Sequence, residues 1–102
     1  MSLFLQARIQ LHYGMSAQFH ENMARLVPIV ERTGWRLVGS WQNITGDLHE
    51  VLDLWEVPDA NAVPATLAEL AVDPDVAEIM AGISAAAIRE ELTLCAKTSF
   101  SP

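Results

Sequence analysis

The sequence predicts an α+β domain whose elements follow the order β-α-β-β-α-β. A hairpin pattern lies mid-chain, with β-rich segments Trp35–Ile44 and Leu48–Val57 around the tip Thr45-Gly46-Asp47. Helical patterns precede and follow this hairpin, and a strand pattern lies near each end of the chain. Because 102 residues are typical of one domain, we expect a single domain over residues 1–98 and a short tail at 99–102.

The first strand is predicted over Leu3–Tyr13, because apolar and polar residues alternate there. Its apolar side holds Leu3, Leu5, Ala7, Ile9 and Leu11. Its polar side holds Gln6, Arg8, Gln10 and His12. Ser16 is placed to cap the first helix, which carries an apolar stripe and contains Pro28. Gly34 then follows as a natural C′ residue.

The central hairpin is predicted to turn at Gly46-Asp47. A two-residue turn there pairs Trp41 with Leu52 and Gly39 with Leu54. One face of the hairpin would then carry Leu37, Trp41, Leu52 and Leu54. The opposite face would carry Arg36, Val38, Ser40, Gln42, His49, Val51, Asp53 and Trp55. We favour this register because its apolar face matches that of the first strand, whereas a three-residue loop would mix the two faces.

The second half of the chain predicts two helices and a final strand. Asn61 can cap the first of these helices, and Asp73-Pro74 is typical of a new helix start, with the acid at the N-cap. The closing strand is predicted over Glu91–Lys97, where apolar residues alternate with polar ones.

Composition and charge exclude several classes of function. Thirteen acidic residues against six basic ones give a net charge of −7, which opposes binding to nucleic acid. The longest uncharged apolar run, Ile79–Ile88, is too short to cross a membrane, and no secretory signal pattern opens the chain. A single cysteine, Cys95, excludes an internal disulfide, so we expect a cytoplasmic protein.

The two predicted faces of the sheet indicate how the protein assembles. Helices must cover one face, and the first strand offers them an apolar one. The other face would be mixed and would include Trp55, in a chain that is 51% hydrophobic. Two such sheets packed face to face would cover these faces, so we expect a homodimer of the dimeric α+β barrel type.

The segment Arg25–Val57 resembles the NIPSNAP family. The residues that carry the resemblance are Pro28, Gly34, Leu37-Val38-Gly39-Ser40-Trp41, Gly46 and Glu50-Val51 through Leu54-Trp55. The resemblance implies a ferredoxin-like monomer that pairs into a dimeric α+β barrel. It implies no particular reaction, because the family has none generally assigned.

Arg8 and Asp53 are the leading candidates for chemistry, since they are predicted to share a face on neighbouring strands. One interpretation is an ion pair that neutralises two charges inside the barrel. In the other, Arg8 holds a carboxylate or carbonyl of a small ligand and Asp53 orients it or accepts a proton.

Further candidates for a ligand site are Ser40, Trp55 and Tyr13. Trp41 is expected in the core against a helix, and Trp55 in a pocket or interface. The three histidines lack the spacing of a metal site, so we expect neither a metal nor another cofactor.

The sequence favours a homodimeric barrel that binds a small, mostly apolar molecule. The first alternative is a cofactor-independent oxygenase, isomerase or cyclase acting on an aromatic or polyketide-like substrate, as barrels that resemble this one use such pockets. The second is a structural or interaction module without a ligand. An enclosed cavity would favour a binder or enzyme, and a filled interior the structural module.

Overall fold

The computed structural model describes residues 2–102, which form four strands and three helices. In chain order the elements are β1 Leu3–Leu11, α1 Ser16–Glu31, β2 Arg36–Gln42, β3 Glu50–Val57, α2 Ala62–Ala71, α3 Pro74–Ala86 and β4 Ala87–Cys95. The predicted order is confirmed, with the second helical region divided before Asp73-Pro74.

All four strands belong to one antiparallel sheet with the order β2-β3-β1-β4. This is the ferredoxin-like arrangement, in which β1 lies between β3 and β4. Several strand ends differ from the prediction. β1 stops at Leu11 instead of Tyr13, and β4 begins at Ala87, four residues before Glu91, and ends at Cys95.

Short polar contacts fix the starts of α2 and α3. The Asp73 carboxylate caps α3 as predicted, accepting a hydrogen bond from the Asp75 amide at 2.9 Å. Asn61 precedes α2 but makes no capping contact with its side chain. Asp59 Oδ1 instead accepts a hydrogen bond from the Ala62 amide at 2.9 Å. Each carboxylate thereby satisfies an amide that has no partner inside its helix.

α1 begins and ends differently from a fully capped helix. Ser16 is its first residue, and Met15 occupies the N-cap position without a side-chain hydrogen bond. The helix continues through Pro28 to Glu31. Gly34 then adopts a φ of 109°, a conformation that favours glycine and lets the chain turn into β2.

Helices α1 and α3 cover one face of the sheet, which we call the helix face. The buried apolar side chains of this core are Leu5, Ala7, Ile9, Leu11, Phe19, Leu26, Val30, Trp35, Val51, Trp55, Val57, Val76, Ile79, Ile83 and Ala86. Trp35 and Trp55 pack edge to face, with ring centroids 5.8 Å apart.

The hairpin has the predicted pairing but the opposite orientation. Trp41 is opposite Leu52 and Gly39 is opposite Leu54, as expected. However, β3 pairs with β1 so that its odd-numbered residues share the helix face with Leu5, Ala7 and Ile9. Trp55 is therefore 5% exposed in the core, and Trp41 is 54% exposed on the other face. The predicted positions of the two tryptophans were wrong.

A β-bulge in β2 puts Leu37 and Trp41 on opposite faces, although they were predicted to share one. Leu37 is opposite Trp55 and Gly39 is opposite Leu54, so Val38 is an extra residue. The bulge brings both Leu37 and Ser40 onto the helix face. A Cβ atom at Gly39 would lie 2.6 Å from the Trp41 ring, so any larger residue there would have to displace that ring.

The tip of the hairpin is longer than the predicted two-residue turn. Residues 43–49 connect β2 to β3, and Thr45 and Leu48 are not paired as strand residues. The Asp47 carboxylate organises this loop. Its Oδ1 atom accepts hydrogen bonds from the His49 amide at 3.0 Å and from Gln10 Nε2 at 3.2 Å.

We call the other side of the sheet the outer face. Its residues on β1, β2 and β3 are Phe4, Gln6, Arg8, Gln10, Arg36, Gly39, Trp41, Glu50, Leu52, Leu54 and Glu56, and β4 adds Arg89, Glu91, Thr93 and Cys95. The outer face carries both apolar and polar residues, as predicted, but its tryptophan is Trp41 and not Trp55. Two ion pairs lie on it, Arg8–Glu50 at 3.4 Å and Arg36–Glu56 at 2.7 Å.

Candidate functional site

A cleft lies on the helix face between α1 and the strands β2 and β3. It is open to solvent and has a cavity volume of about 290 Å³. We call it the Asp53 cleft; its lining consists of Phe19, His20, Met23, Ala24, Val27, Leu37, Ser40, Gln42, Val51 and Asp53. α1 and Leu37 form apolar walls, and the polar groups are concentrated on β2, β3 and at His20. One polar region among apolar walls is typical of a small-molecule site.

Asp53 is the most unusual residue of the cleft. It comes from the centre of β3, and its side chain is only 2% exposed. Ser40 Oγ donates a hydrogen bond to Asp53 Oδ1 at 2.5 Å, across the β2–β3 pair. Ser40 is its one side-chain donor within residues 2–102. A carboxylate can accept about four hydrogen bonds, so Asp53 retains unused acceptor capacity toward the cleft.

The surroundings of Asp53 control its protonation. Burial raises the pKa of this carboxyl group above its ordinary value, because a low-dielectric environment disfavours the charged form. The hydrogen bond from Ser40 and the charge of His20 act in the opposite direction and are the smaller effects. A further hydrogen-bond donor would therefore stabilise the charged form of Asp53.

Two other polar residues define the ends of the cleft. His20 is an exposed residue of α1, and its ring lies edge-on to that of Phe19 with centroids 6.2 Å apart. Gln42 Nε2 donates a hydrogen bond to the Leu48 carbonyl at 3.0 Å and contacts Ser16 Oγ at 3.4 Å. Gln42 thus ties the hairpin loop to the end of β2.

Glu90 adds a second carboxylate to the helix face. In β4 it is opposite Ile9, a buried residue of the helix face, and it keeps an exposed surface at the edge of the sheet. Partial burial of its carboxyl group and the charge of Asp53 both raise the pKa of Glu90. The two carboxylates therefore contribute to one negative region.

The predicted pairing of Arg8 with Asp53 was wrong. Arg8 lies on the outer face, where its Nε atom is 3.4 Å from Glu50 Oε1, and Asp53 lies on the helix face. The two residues are on neighbouring strands, but the one-residue alternation of a strand directs their side chains to opposite sides of the sheet. The structure instead brings Ser40 and Asp53 together.

The other predicted candidates lie outside the cleft. Trp55 belongs to the core, packed against Trp35. Tyr13 is 90% exposed after the end of β1, with its ring 4.8 Å from that of His49. Neither residue lines the Asp53 cleft.

Sequence reasoning missed the wall that α1 provides. His20, Met23, Ala24 and Val27 have the spacing i, i+3, i+4 and i+7, which places them on one side of a helix. This pattern is visible in the sequence, but it is also the pattern of an ordinary core-facing stripe. Only the position of α1 over β2 shows that these residues line a cleft and do not simply face the core.

A second hollow of about 390 Å³ lies on the outer face near Phe4, Leu54 and Cys95. Both cations that line it have partners. Arg36 pairs with Glu56, and Lys97 Nζ donates a hydrogen bond to the Pro102 carbonyl at 2.9 Å. This hollow therefore offers a ligand less unused polar capacity than the Asp53 cleft.

The fold and cleft define a class of protein: a ferredoxin-like α+β domain with a ligand-sized cleft between sheet and helix. In residues 2–102, no three His, Cys, Asp or Glu side chains converge as metal ligands, and no helix has the length and hydropathy to cross a membrane. The NIPSNAP family model matches residues 7–102. The chain belongs to the NIPSNAP family.

Solved structures agree with this assignment. A NIPSNAP family protein from Agrobacterium tumefaciens has 18% identity and a TM-score of 0.88, over 99% of this chain and 92% of that one. A NIPSNAP-like domain protein from Burkholderia xenovorans has 22% identity and a TM-score of 0.83, over 99% and 89%. A variant of SnoaB, a cofactor-independent oxygenase from Streptomyces nogalater, has 18% identity and a TM-score of 0.70, over 99% and 97%. No curated protein matches significantly in sequence.

Proposed function

We propose that the protein binds a small, mostly apolar molecule in the Asp53 cleft. The observation that carries this proposal is a buried carboxylate with unused acceptor capacity beneath an apolar wall. Hydrogen bonds to a charged group are stronger than neutral ones, so a ligand that donates a hydrogen bond to Asp53 gains affinity from the acceptor capacity that Ser40 leaves unused. The side chains of Phe19, Met23 and Val27 supply the apolar contact.

The test is to identify what the protein retains and where. Native mass spectrometry of gently purified protein should show a bound small molecule. Ala24 lines the cleft, so Ala24→Phe should fill it and abolish retention. Ala17 is exposed on the same helix outside the cleft, so Ala17→Phe is the matched control and should retain the molecule. Equal retention by both variants would refute the cleft as the binding site.

A second part of the proposal concerns assembly: two copies pack through their outer faces to form a dimeric α+β barrel. The support is an apolar patch in which Trp41 is 54% exposed and Leu52 and Leu54 are half-buried. Exposed apolar surface of this kind marks an interaction surface. Opposed charges of Arg8 and Glu50 around the patch give it a polar rim of the kind that interfaces have.

Sedimentation velocity tests this assembly. The wild-type protein should sediment as a dimer at micromolar concentration, and Trp41→Glu should shift it to a monomer. Val72 is 81% exposed beyond the end of α2, so Val72→Glu adds the same charge elsewhere and should leave the dimer intact. A wild-type monomer would contradict the proposal.

A second candidate function is cofactor-independent oxygenation of an aromatic substrate. It is favoured by the likeness in fold to SnoaB and by the raised pKa of Asp53, which suits a proton acceptor. In this reaction class Asp53 would accept a proton from the substrate, and the deprotonated substrate would then react with oxygen. Oxygen uptake with phenols, absent in Asp53→Asn, would support this candidate; no uptake with any phenol would remove it.

A further inference from the structure

The charged groups around the cleft are mainly negative, which restricts the charge of the ligand that it can bind. Two ionisable groups line the cleft, Asp53 from β3 and His20 from α1, and Glu90 of β4 carries a further carboxylate on the same face of the sheet. The polar residues that β2 contributes to the cleft, Ser40 and Gln42, are uncharged. The Asp53 carboxylate would repel an anionic ligand and attract a cationic one, and the charge of Glu90 on the same face of the sheet acts in the same direction.

The hydrogen-bond contacts of Asp53 also favour a cationic ligand. Its one side-chain donor, Ser40, is neutral, so the buried carboxylate has no cation in hydrogen-bond contact within residues 2–102. A hydroxyl group of a ligand would add one neutral hydrogen bond and leave the charge unbalanced. An ammonium group carries three donors and a compensating charge, and charge-assisted hydrogen bonds are about twice as strong as neutral ones.

We propose that the Asp53 cleft selects a small primary amine with an apolar body, whose ammonium group pairs with Asp53. The inference rests on the proposed ligand cleft and names its ligand class. The apolar body lies along Phe19, Met23 and Val27, and a volume of about 290 Å³ restricts it to a small molecule. The net charge of −7 also favours the approach of cations over anions.

The experiment compares three probes that share one aromatic body: phenethylamine, 2-phenylethanol and phenylacetate. Binding is followed by NMR of methionine methyl groups labelled with ¹³C. Met23 lines the cleft and reports on it, while Met80 of α3 lies outside and is the internal control. For wild-type protein we expect phenethylamine to bind about tenfold more tightly than 2-phenylethanol. Phenylacetate should leave the Met23 signal unchanged.

Substitutions then separate charge from shape. Asp53→Asn keeps the size of the side chain and removes its charge, so the amine should lose about tenfold in affinity. The alcohol should bind within about threefold of wild type, which also shows that the variant is folded. Glu90→Gln removes a negative charge from the same face of the sheet and should weaken amine binding.

The outcomes separate this inference from the proposed function. Equal binding of amine and alcohol, or amine binding unaffected by Asp53→Asn, would overturn the amine preference and leave a ligand cleft in place. Preferred binding of phenylacetate would overturn it as well. If no probe moves the Met23 signal, the amine preference also falls, and the comparison of Ala24→Phe with Ala17→Phe decides the fate of the cleft itself.

Discussion

On the helix face, the carboxylate of Asp53 is buried and receives one hydrogen bond from Ser40. On the outer face, Glu56 Oε1 accepts hydrogen bonds from Nε and Nη2 of Arg36 at 2.9 and 2.7 Å. Burial raises the pKa of Asp53, whereas the hydrogen bonds from Arg36 lower the pKa of Glu56. One face thus leaves a carboxylate short of donors, and the other provides a cation. A cationic ligand therefore gains more at Asp53 than at Glu56, because Asp53 has no charged hydrogen-bond partner and Glu56 already has one.

The two tryptophans of the hairpin give the largest expected contrast between the faces. Trp55→Ala should lower the free energy of unfolding by about 3–5 kcal/mol, because it empties a packed core position. Trp41→Ala should lower it by less than about 1 kcal/mol in the monomer, since its ring is more than half exposed. Urea unfolding under monomeric conditions measures both. Equal losses would mean that the faces of β3 are assigned incorrectly.

Removal of the Ser40 hydroxyl should have the next largest effect. Ser40→Ala leaves the buried carboxylate without a side-chain donor, at a cost of about 1–3 kcal/mol in the free energy of unfolding. Thr93 carries its hydroxyl on the exposed outer face, so Thr93→Ala is the control and should change stability by less than about 0.5 kcal/mol. Similar effects of both substitutions would show that the Ser40–Asp53 hydrogen bond contributes little.

The dependence of stability on pH should have opposite signs on the two faces. The folded-state pKa of Asp53 lies above its ordinary value of 3.8, so its contribution declines as pH rises through that folded-state pKa. The folded-state pKa of Glu56 lies below its ordinary value of 4.5, so its contribution is lost as pH falls. Urea unfolding from about pH 3 to about pH 8 should show that Asp53→Asn removes the first trend and Glu56→Gln the second. An unchanged pH profile in Asp53→Asn would contradict the buried carboxylate.

The smallest expected effect is the energetic coupling between Arg8 and Asp53. Because they lie on opposite faces, Arg8→Met and Asp53→Asn should be additive within about 0.5 kcal/mol in a double-mutant cycle. A cycle between Arg8 and Glu50 serves as the positive control, with coupling up to about 1 kcal/mol for an exposed pair. If Arg8 and Asp53 are coupled more strongly than Arg8 and Glu50, the two side chains share a face of the sheet, as the sequence suggested.

The success of prediction differed between β1 and β3. β1 alternates between apolar and polar residues, so its orientation followed from its sequence and is correct. β3 carries Val51, Leu52, Leu54 and Trp55, which are apolar on both faces. The one charged residue in this stretch, Asp53, suggested the face away from the helices. A buried carboxylate is rare enough that the pattern favours the wrong face.

The candidate site was predictable only in part. Ser40 and Asp53 were predicted to lie on one face of the hairpin, and the structure brings them into contact. The bulge at Val38 was not predicted, because no single residue type is diagnostic of a bulge. It places Leu37 and Trp41 on opposite faces of the sheet. The wall from α1 depends on the tertiary position of that helix, which hydrophobic periodicity does not specify.

The same bulge has a consequence for how the sheet ends. β2 is an edge strand, and an uninterrupted edge is a template on which strands of other molecules can pair and aggregate. The extra residue at Val38 breaks the regular spacing of backbone donors and acceptors and increases the local twist. β2 is thereby a poor template for a foreign strand, and the regular part of β4, residues 89–95, is the edge where sheet extension would have to be prevented by other means.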